Sequence, residues 1–186
     1  IHNYGTQYSS SITYMSLKLY EDLEKKYNEI FGAKVIIAPT TTLGHSSCIP
    51  LLADEYDLFL LDQQVHNSVQ MAVQIAAAKG TKVITLPHNN IKALEYNLKK
   101  LQSSYRNIWY FCDGIYSMYG DCAPIRQLED LRDKYENFHL YIDDAHGISW
   151  TGKNGCGFAL ENLKRLEKTI VTASHAKGFG VTGGVI

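Results

Sequence analysis

The chain predicts an α/β fold, a three-layer sandwich in which helices cover both faces of a mainly parallel sheet. Three observations lead there. Short apolar runs recur along the sequence, they lack the polar alternation that a sheet with one wet face would show, and segments of helical period lie between them.

The elements follow in order. Over residues 14–31, Leu17, Tyr20, Leu23, Tyr27, Ile30 and Phe31 recur at steps of three and four, and Gly32 supplies a stop. A short strand over 35–38 leads through the polar turn Pro39-Thr40-Thr41-Thr42-Leu43-Gly44 into a helix over 46–52. Strands are then expected at 58–62, 82–86, 108–112, 140–143 and 169–173, with helices at 66–78, 91–103 and 125–135. The last residues, Gly183 to Ile186, read as a strand just beginning, and 152–157, with three glycines in six residues, as a mobile surface turn.

Composition narrows the function classes. At 186 residues, 45% hydrophobic and 20% charged, the chain can bury one substantial core, so residues 1–186 are read as a single domain. A net charge of -1 without a Lys/Arg run longer than two offers no field for nucleic acid or an anionic membrane, and neither partner is expected. The four cysteines, Cys48, Cys112, Cys122 and Cys156, lack metal-ligand spacing, which points to no metal and to a reducing cytoplasm. No apolar stretch approaches a membrane span or a signal peptide. Both ends look cut: the chain starts at Ile1 without methionine and stops within the incipient strand, as a fragment would.

In sheets of this kind ligands bind beyond the carboxyl ends of the strands, and the chemistry-bearing residues gather there. Thr41-Thr42-Leu43-Gly44 follow the first strand, Asp113-Gly114 the fourth, Asp143-Asp144-Ala145-His146-Gly147 the fifth and Ser174-His175-Ala176-Lys177 the sixth, so four strand ends converge on one crevice. Lys177 sits among Ala173, Ala176, Gly178 and Gly180, where a desolvated amine is a nucleophile able to form a Schiff base with a carbonyl cofactor. Asp143 ends an apolar strand and needs a partner; a cationic ring N–H would be one, and lysine plus aspartate is the pair that pyridoxal 5'-phosphate requires. Asp144 should face the other way and cap a turn.

Around this pair the readings divide. His146 either donates to the cofactor's phenolic oxygen or belongs to a structural Asp-His turn. His66 either covers a flat ring and moves protons or caps a helix. Thr41, Thr42 and Leu43 present amides to a phosphate or form an ordinary N-cap, and Ser174 could add its hydroxyl. Ser117 could approach the phenolic oxygen or a substrate carboxylate.

Taken in order, Asp143-Asp144-Ala145-His146-Gly147, Ser174-x-x-Lys177-Gly178-Phe179-Gly180, Asp113-Gly114-Ile115-Tyr116-Ser117-Met118-Tyr119-Gly120-Asp121-Cys122-Ala123-Pro124 and His66-Asn67-Ser68 resemble the α-oxoamine synthase family. These are pyridoxal-phosphate enzymes of the aspartate-aminotransferase fold type I, and the resemblance runs over essentially the whole chain. It implies the large cofactor domain, with Lys177 as the Schiff-base lysine, Asp143 as the pyridinium partner, His146 and Ser117 beside the phenolic oxygen and His66 stacked on the ring. Ser174 and the Thr42-Leu43 backbone would hold the phosphate. It further implies a C-acyltransferase that joins an amino acid to an acyl-CoA thioester with loss of carboxylate, giving an α-aminoketone. A homodimer, and a small domain built from segments absent here, would complete the site.

Two departures stand out. Residues 8–15 carry neither the family's glycines nor its arginine or histidine, and Thr40-Thr41 stand where Ser-Gly is usual. Arg106, Arg126, Arg132 and Arg165 are the only arginines, none at a strand end assigned to the crevice, so the fragment alone should not complete turnover. A fold type I aminotransferase or amino-acid lyase, an autoinducer-synthase-like enzyme and a non-catalytic binding domain are the competing readings.

Overall fold

A computed structural model describes residues 17–186; the departure at residues 8–15 and the start of the first expected helix lie outside them. Helix α1 (Lys18–Phe31) ends at Gly32, whose left-handed φ of 67° lets its amide close on Asn28. The chain continues as β1 (Ile37–Ala38), α2 (Thr41–Cys48), β2 (Leu58–Asp62), α3 (Asn67–Ala77), β3 (Lys82–Leu86) and α4 (Ile91–Leu101). It then forms β4 (Ile108–Asp113), α5 (Ile125–Lys134), β5 (Phe138–Asp143), α6 (Phe158–Asn162), β6 (Thr169–Ser174), α7 (His175–Gly178) and β7 (Gly184–Val185).

Among the described residues these strands form one seven-stranded sheet in the order β1-β7-β6-β5-β4-β2-β3. Every pair from β6 to β3 is parallel, while β7 runs antiparallel to both β6 and β1. The α/β expectation of a mainly parallel sheet is met. Alternation along the strands divides the core: Leu58, Leu60, Ile108, Tyr110, Leu140 and Ile142 pack with α4 and α5, whereas Phe59, Leu61, Trp109, Phe111 and Tyr141 pack with Val69 and Val73 of α3. Strands β2 and β4 are buried at every position, which is why their sequences show no polar face.

Four local readings need correction. The helix placed at 46–52 begins instead at Thr41, because the Thr40 hydroxyl accepts from the Leu43 amide at 3.1 Å and starts the helix before the apolar periodicity does. Its tail, Ile49–Leu51, tightens into a 3-10 turn containing Pro50. The strand expected from residue 35 pairs only at Ile37–Ala38. The 152–157 segment carries an exposed turn at Lys153 and Asn154 but is also tied down: Ser149 donates to the Gly155 carbonyl, Gly157 donates to Thr151, and buried Gly157 opens α6, which periodicity did not reveal.

Candidate active site

Strands β4 and β5 pair Asp113 directly with Asp143, so two buried carboxyls lie side by side on the α2–α3 face of the sheet. Asp143 Oδ1 accepts from the Ala145 amide at 3.0 Å, and Oδ2 lies 3.1 Å from His45 Nε2. His45, fully buried in α2, reaches Tyr141 with Nδ1 at 2.9 Å, so Tyr141, His45 and Asp143 form one chain of hydrogen bonds. Asp113 Oδ1 accepts from the His66 amide at 2.9 Å, which anchors the start of α3 at the mouth of the crevice.

The two carboxyls cannot both be comfortable as anions. Burial raises Asp113, and the neighbouring Asp143 raises it further. Burial pulls Asp143 in the same direction, but His45, the Ala145 amide and the positive charge of Lys177 outweigh it and hold this carboxyl below the usual range. Asp143 is therefore the anion of the pair. Lys177 is exposed in α7 rather than desolvated as its small neighbours suggested, and its charge acts on Asp143, Asp113, His66 and His146, which marks one electrostatic cluster.

Burial lowers His66, with Lys177 and His45 adding to it and Asp143 opposing. His146 is lowered by burial, Lys177 and His66, again against Asp143. Both imidazoles are thus neutral bases at pH 7. His66 also caps α3, its Nδ1 lying 2.7 Å from Ser68 Oγ and accepting from the Ser68 amide, so the capping and cofactor readings are compatible.

The phosphate candidates stand at two helix starts flanking β6. Thr41 Oγ1 donates to the Ala173 carbonyl at 3.2 Å and ties the start of α2 to β6. The first-turn amides of Thr41 and Thr42 have no partner within the helix, whereas the Leu43 amide is taken by Thr40. Ser174 Oγ accepts from the Ala176 amide at 3.3 Å and caps α7. Ser117 lies exposed in the turn that follows β4 and Asp113.

Asp144 behaves as strand geometry requires. It faces away from Asp143, its Oδ2 accepts from the Ala159 amide at 2.9 Å and caps α6, and burial pushes its carboxyl up to about 7. His45 was not singled out from the sequence. It falls between the turn read at 39–44 and the helix read at 46–52, and its partner Asp143 is 98 residues away; a correctly placed helix start would have put it on α2.

Among the described residues no His/Cys/Asp/Glu group is arranged to hold a metal, and no helix is long and apolar enough to cross a membrane. An amine, a buried carboxylate and two imidazoles thus gather at the carboxyl ends of a parallel sheet, the place where α/β folds of this kind bind ligands. Residues 4–186 match the family Aminotransferase class I and II, and the chain belongs to it.

Among its relatives, the 8-amino-7-oxononanoate synthase of Coprothermobacter proteolyticus is 36% identical over 169 residues, 88% of this chain and 41% of the relative. The chain spans less than half the length of the curated relatives it matches. The serine palmitoyltransferase of Sphingomonas wittichii shares the fold at a TM-score of 0.82 and 23% identity, over 91% of this chain and 42% of that one. That of S. paucimobilis with a bound PLP-myriocin aldimine does so at 0.81 and 22%, over 91% and 43%. Both names belong to the α-oxoamine synthases, so the resemblance carried by the four motifs is borne out.

Proposed function

We propose that the full-length protein is a pyridoxal-phosphate-dependent C-acyltransferase, condensing an amino acid with an acyl-CoA thioester, with decarboxylation, to an α-aminoketone. The observation that carries this reading is the parallel pairing of β5 with β6, which sets buried Asp143 and the Lys177 turn at neighbouring strand ends, in a chain 36% identical to an 8-amino-7-oxononanoate synthase. The donor set fits the cofactor: a primary amine for its carbonyl, a buried carboxylate for its ring nitrogen, an exposed imidazole for its face and free first-turn amides for its phosphate.

When bound, pyridoxal phosphate supplies an electron sink for the amino acid's α-carbon. Lys177 Nζ would hold the group covalently through its carbonyl and, as a free amine, would move the α-proton of the bound amino acid. Asp143 would keep a proton on the ring nitrogen, and the His45–Tyr141 chain fixes that carboxylate in place. His66 would cover the ring face, His146 and Ser117 would serve the phenolic oxygen, and Thr41, Thr42 and Ser174 would hold the phosphate, whereas the Leu43 amide, also read as a phosphate donor, is already used by Thr40.

Residues 1–186 act as the large domain of a cytoplasmic homodimer. Exposed Met118, Tyr119, Trp150, Phe179 and Val181 in loops after the strands give apolar surface for a partner subunit. Arg106 pairs with Asp57 ahead of β4, and Arg132 is held by Glu129 and Thr169 at the start of β6. Both lie at the opposite end of the sheet, so the carboxylate-gripping arginine is sought outside them. Incubating the full-length protein and cofactor with amino acids and acyl-CoA should release thiol and carbon dioxide together. Keto-acid formation without thiol would replace this reading with an aminotransferase.

A further inference from the structure

A second histidine network lies beside the candidate site. His88 follows β3, with Nδ1 2.9 Å from Asp62 Oδ1 and Nε2 2.8 Å from Asp121 Oδ2. Carboxylate oxygens only accept, so bonds to both aspartates need hydrogen on both ring nitrogens, and an imidazole with two N–H groups is a cation; Asn89 Nδ2, 3.3 Å from Nε2, then donates to Asp121 and the Cys122 carbonyl rather than to the ring. Asp62 cannot supply the proton instead: fully buried, it already accepts from the Gln64 amide at 2.8 Å, the Asn89 amide at 2.7 Å and the Tyr110 hydroxyl at 3.2 Å.

Asp121 belongs to the turn after β4. An antiparallel bridge between Ile115 and Cys122 closes that turn, with Tyr116 donating to the Asp121 carbonyl and Gly120 to the Tyr116 carbonyl. Its tip, Ser117, Met118 and Tyr119, is exposed. Besides the buried Tyr116 ring, its side-chain ties to the β3–α4 loop are His88 to Asp121 and Asn89 Nδ2 to the Cys122 carbonyl at 3.1 Å and to Asp121 at 3.3 Å. Asn89 makes these bonds from a left-handed φ of 49°, a conformation asparagine tolerates better than most residues.

We infer that His88 is a positioning residue: as an imidazolium between Asp62 and Asp121 it clasps the Ser117-bearing turn to the carboxyl ends of β2 and β3. The groups facing the ring are Asp62 from β2, Asp121, Tyr116 and Tyr119 from the turn, and Asn89 beside it. Tyr116 meets it edge-on at 4.4 Å and Tyr119 stacks at 5.6 Å, and among the described residues no lysine or arginine bonds either carboxylate. Burial opposes the charge, but the hydrogen bonds to Asp62 and Asp121 outweigh it and hold the imidazole above its ordinary value. The clasp is therefore complete below about pH 6.5, the ordinary imidazole pKa, and is lost as pH rises through the raised value.

That the turn serves the reaction rests on the proposed acyltransferase; that it is clasped does not. The test uses hydrogen–deuterium exchange and 13C-histidine NMR on the full-length protein, its Asp121→Asn variant, a change at a half-exposed side chain, and His88→Gln. At pH 6, peptides covering 114–123 should exchange about tenfold faster in both variants, with those covering 138–143 unchanged. The parent's own exchange, corrected for intrinsic rates, should approach theirs as pH rises to 9. His88 should titrate above about 6.5 in the parent and lower in Asp121→Asn. Unchanged exchange in Asp121→Asn, or His88 titrating at or below the ordinary value, would overturn the clasp. Acyl-transfer kcat in the variants should fall in step with turn exchange, and full activity with a loosened turn would overturn the positioning role. Absence of acyl transfer in the parent would sink the acyltransferase alone, because exchange and titration need no turnover.

Discussion

Strand geometry sends Asp143 and Asp144, consecutive residues at the end of β5, to opposite faces, and the two carboxyls meet opposite environments. Asp143 finds His45 and the charge of Lys177, while Asp144 sits where added Cβ atoms on Gly114, Gly147 or Gly157 would each come within 2.3 Å of its oxygens, a contact nearer than real Cβ atoms allow. Gly147 has no positive φ, so its need is for space alone. A methyl there would meet Asp144 Oδ1 and, at 2.7 Å, the Phe158 amide. Gly147→Ala should therefore cost about 1–3 kcal/mol, read as a lowered urea midpoint. The placement of Lys177, Asp143, His66 and His146 at strand ends was legible in the sequence because each ends or follows a recognisable strand. His45 and the suppressed ionisation of Asp113 were not, since both arise from cross-strand and helix–strand proximity that no local pattern encodes.

The strands were the most readable elements, because burial on both faces leaves β2 and β4 continuously apolar and their ends sharply marked by aspartates. Helix α2 was misread for a definable reason. Three threonines in succession suggest a turn by propensity, yet the Thr40 cap and packing of Gly184 against Thr41 fix a helix start there. Thr40→Ala should lower stability by about 1 kcal/mol, measurable by thermal unfolding, with the sheet retained. Helices α6 and α7 have five and four residues, too few to show a period, and their starts are set by Asp144 and Ser174. Strands β1 and β7 have two residues each and exist through their pairing.

At the scale of the whole molecule, the strand order places β4, β5 and β6 side by side in the interior of the sheet, so that Asp113, Asp143 and the Lys177 turn, distant in sequence, share its carboxyl end. That convergence was inferable from parallel α/β topology. Substrate choice was not, because the groups that would grip a carboxylate or an acyl chain are not among the strand-end residues. The central claim is that Lys177 is the cofactor's covalent anchor. The direct measurement is borohydride reduction of the full-length protein with pyridoxal phosphate, followed by peptide mass spectrometry. One pyridoxyl group on the peptide containing Lys177, absent from Lys177→Ala, is the predicted result; a stoichiometric adduct on another residue, undiminished in Lys177→Ala, would contradict it.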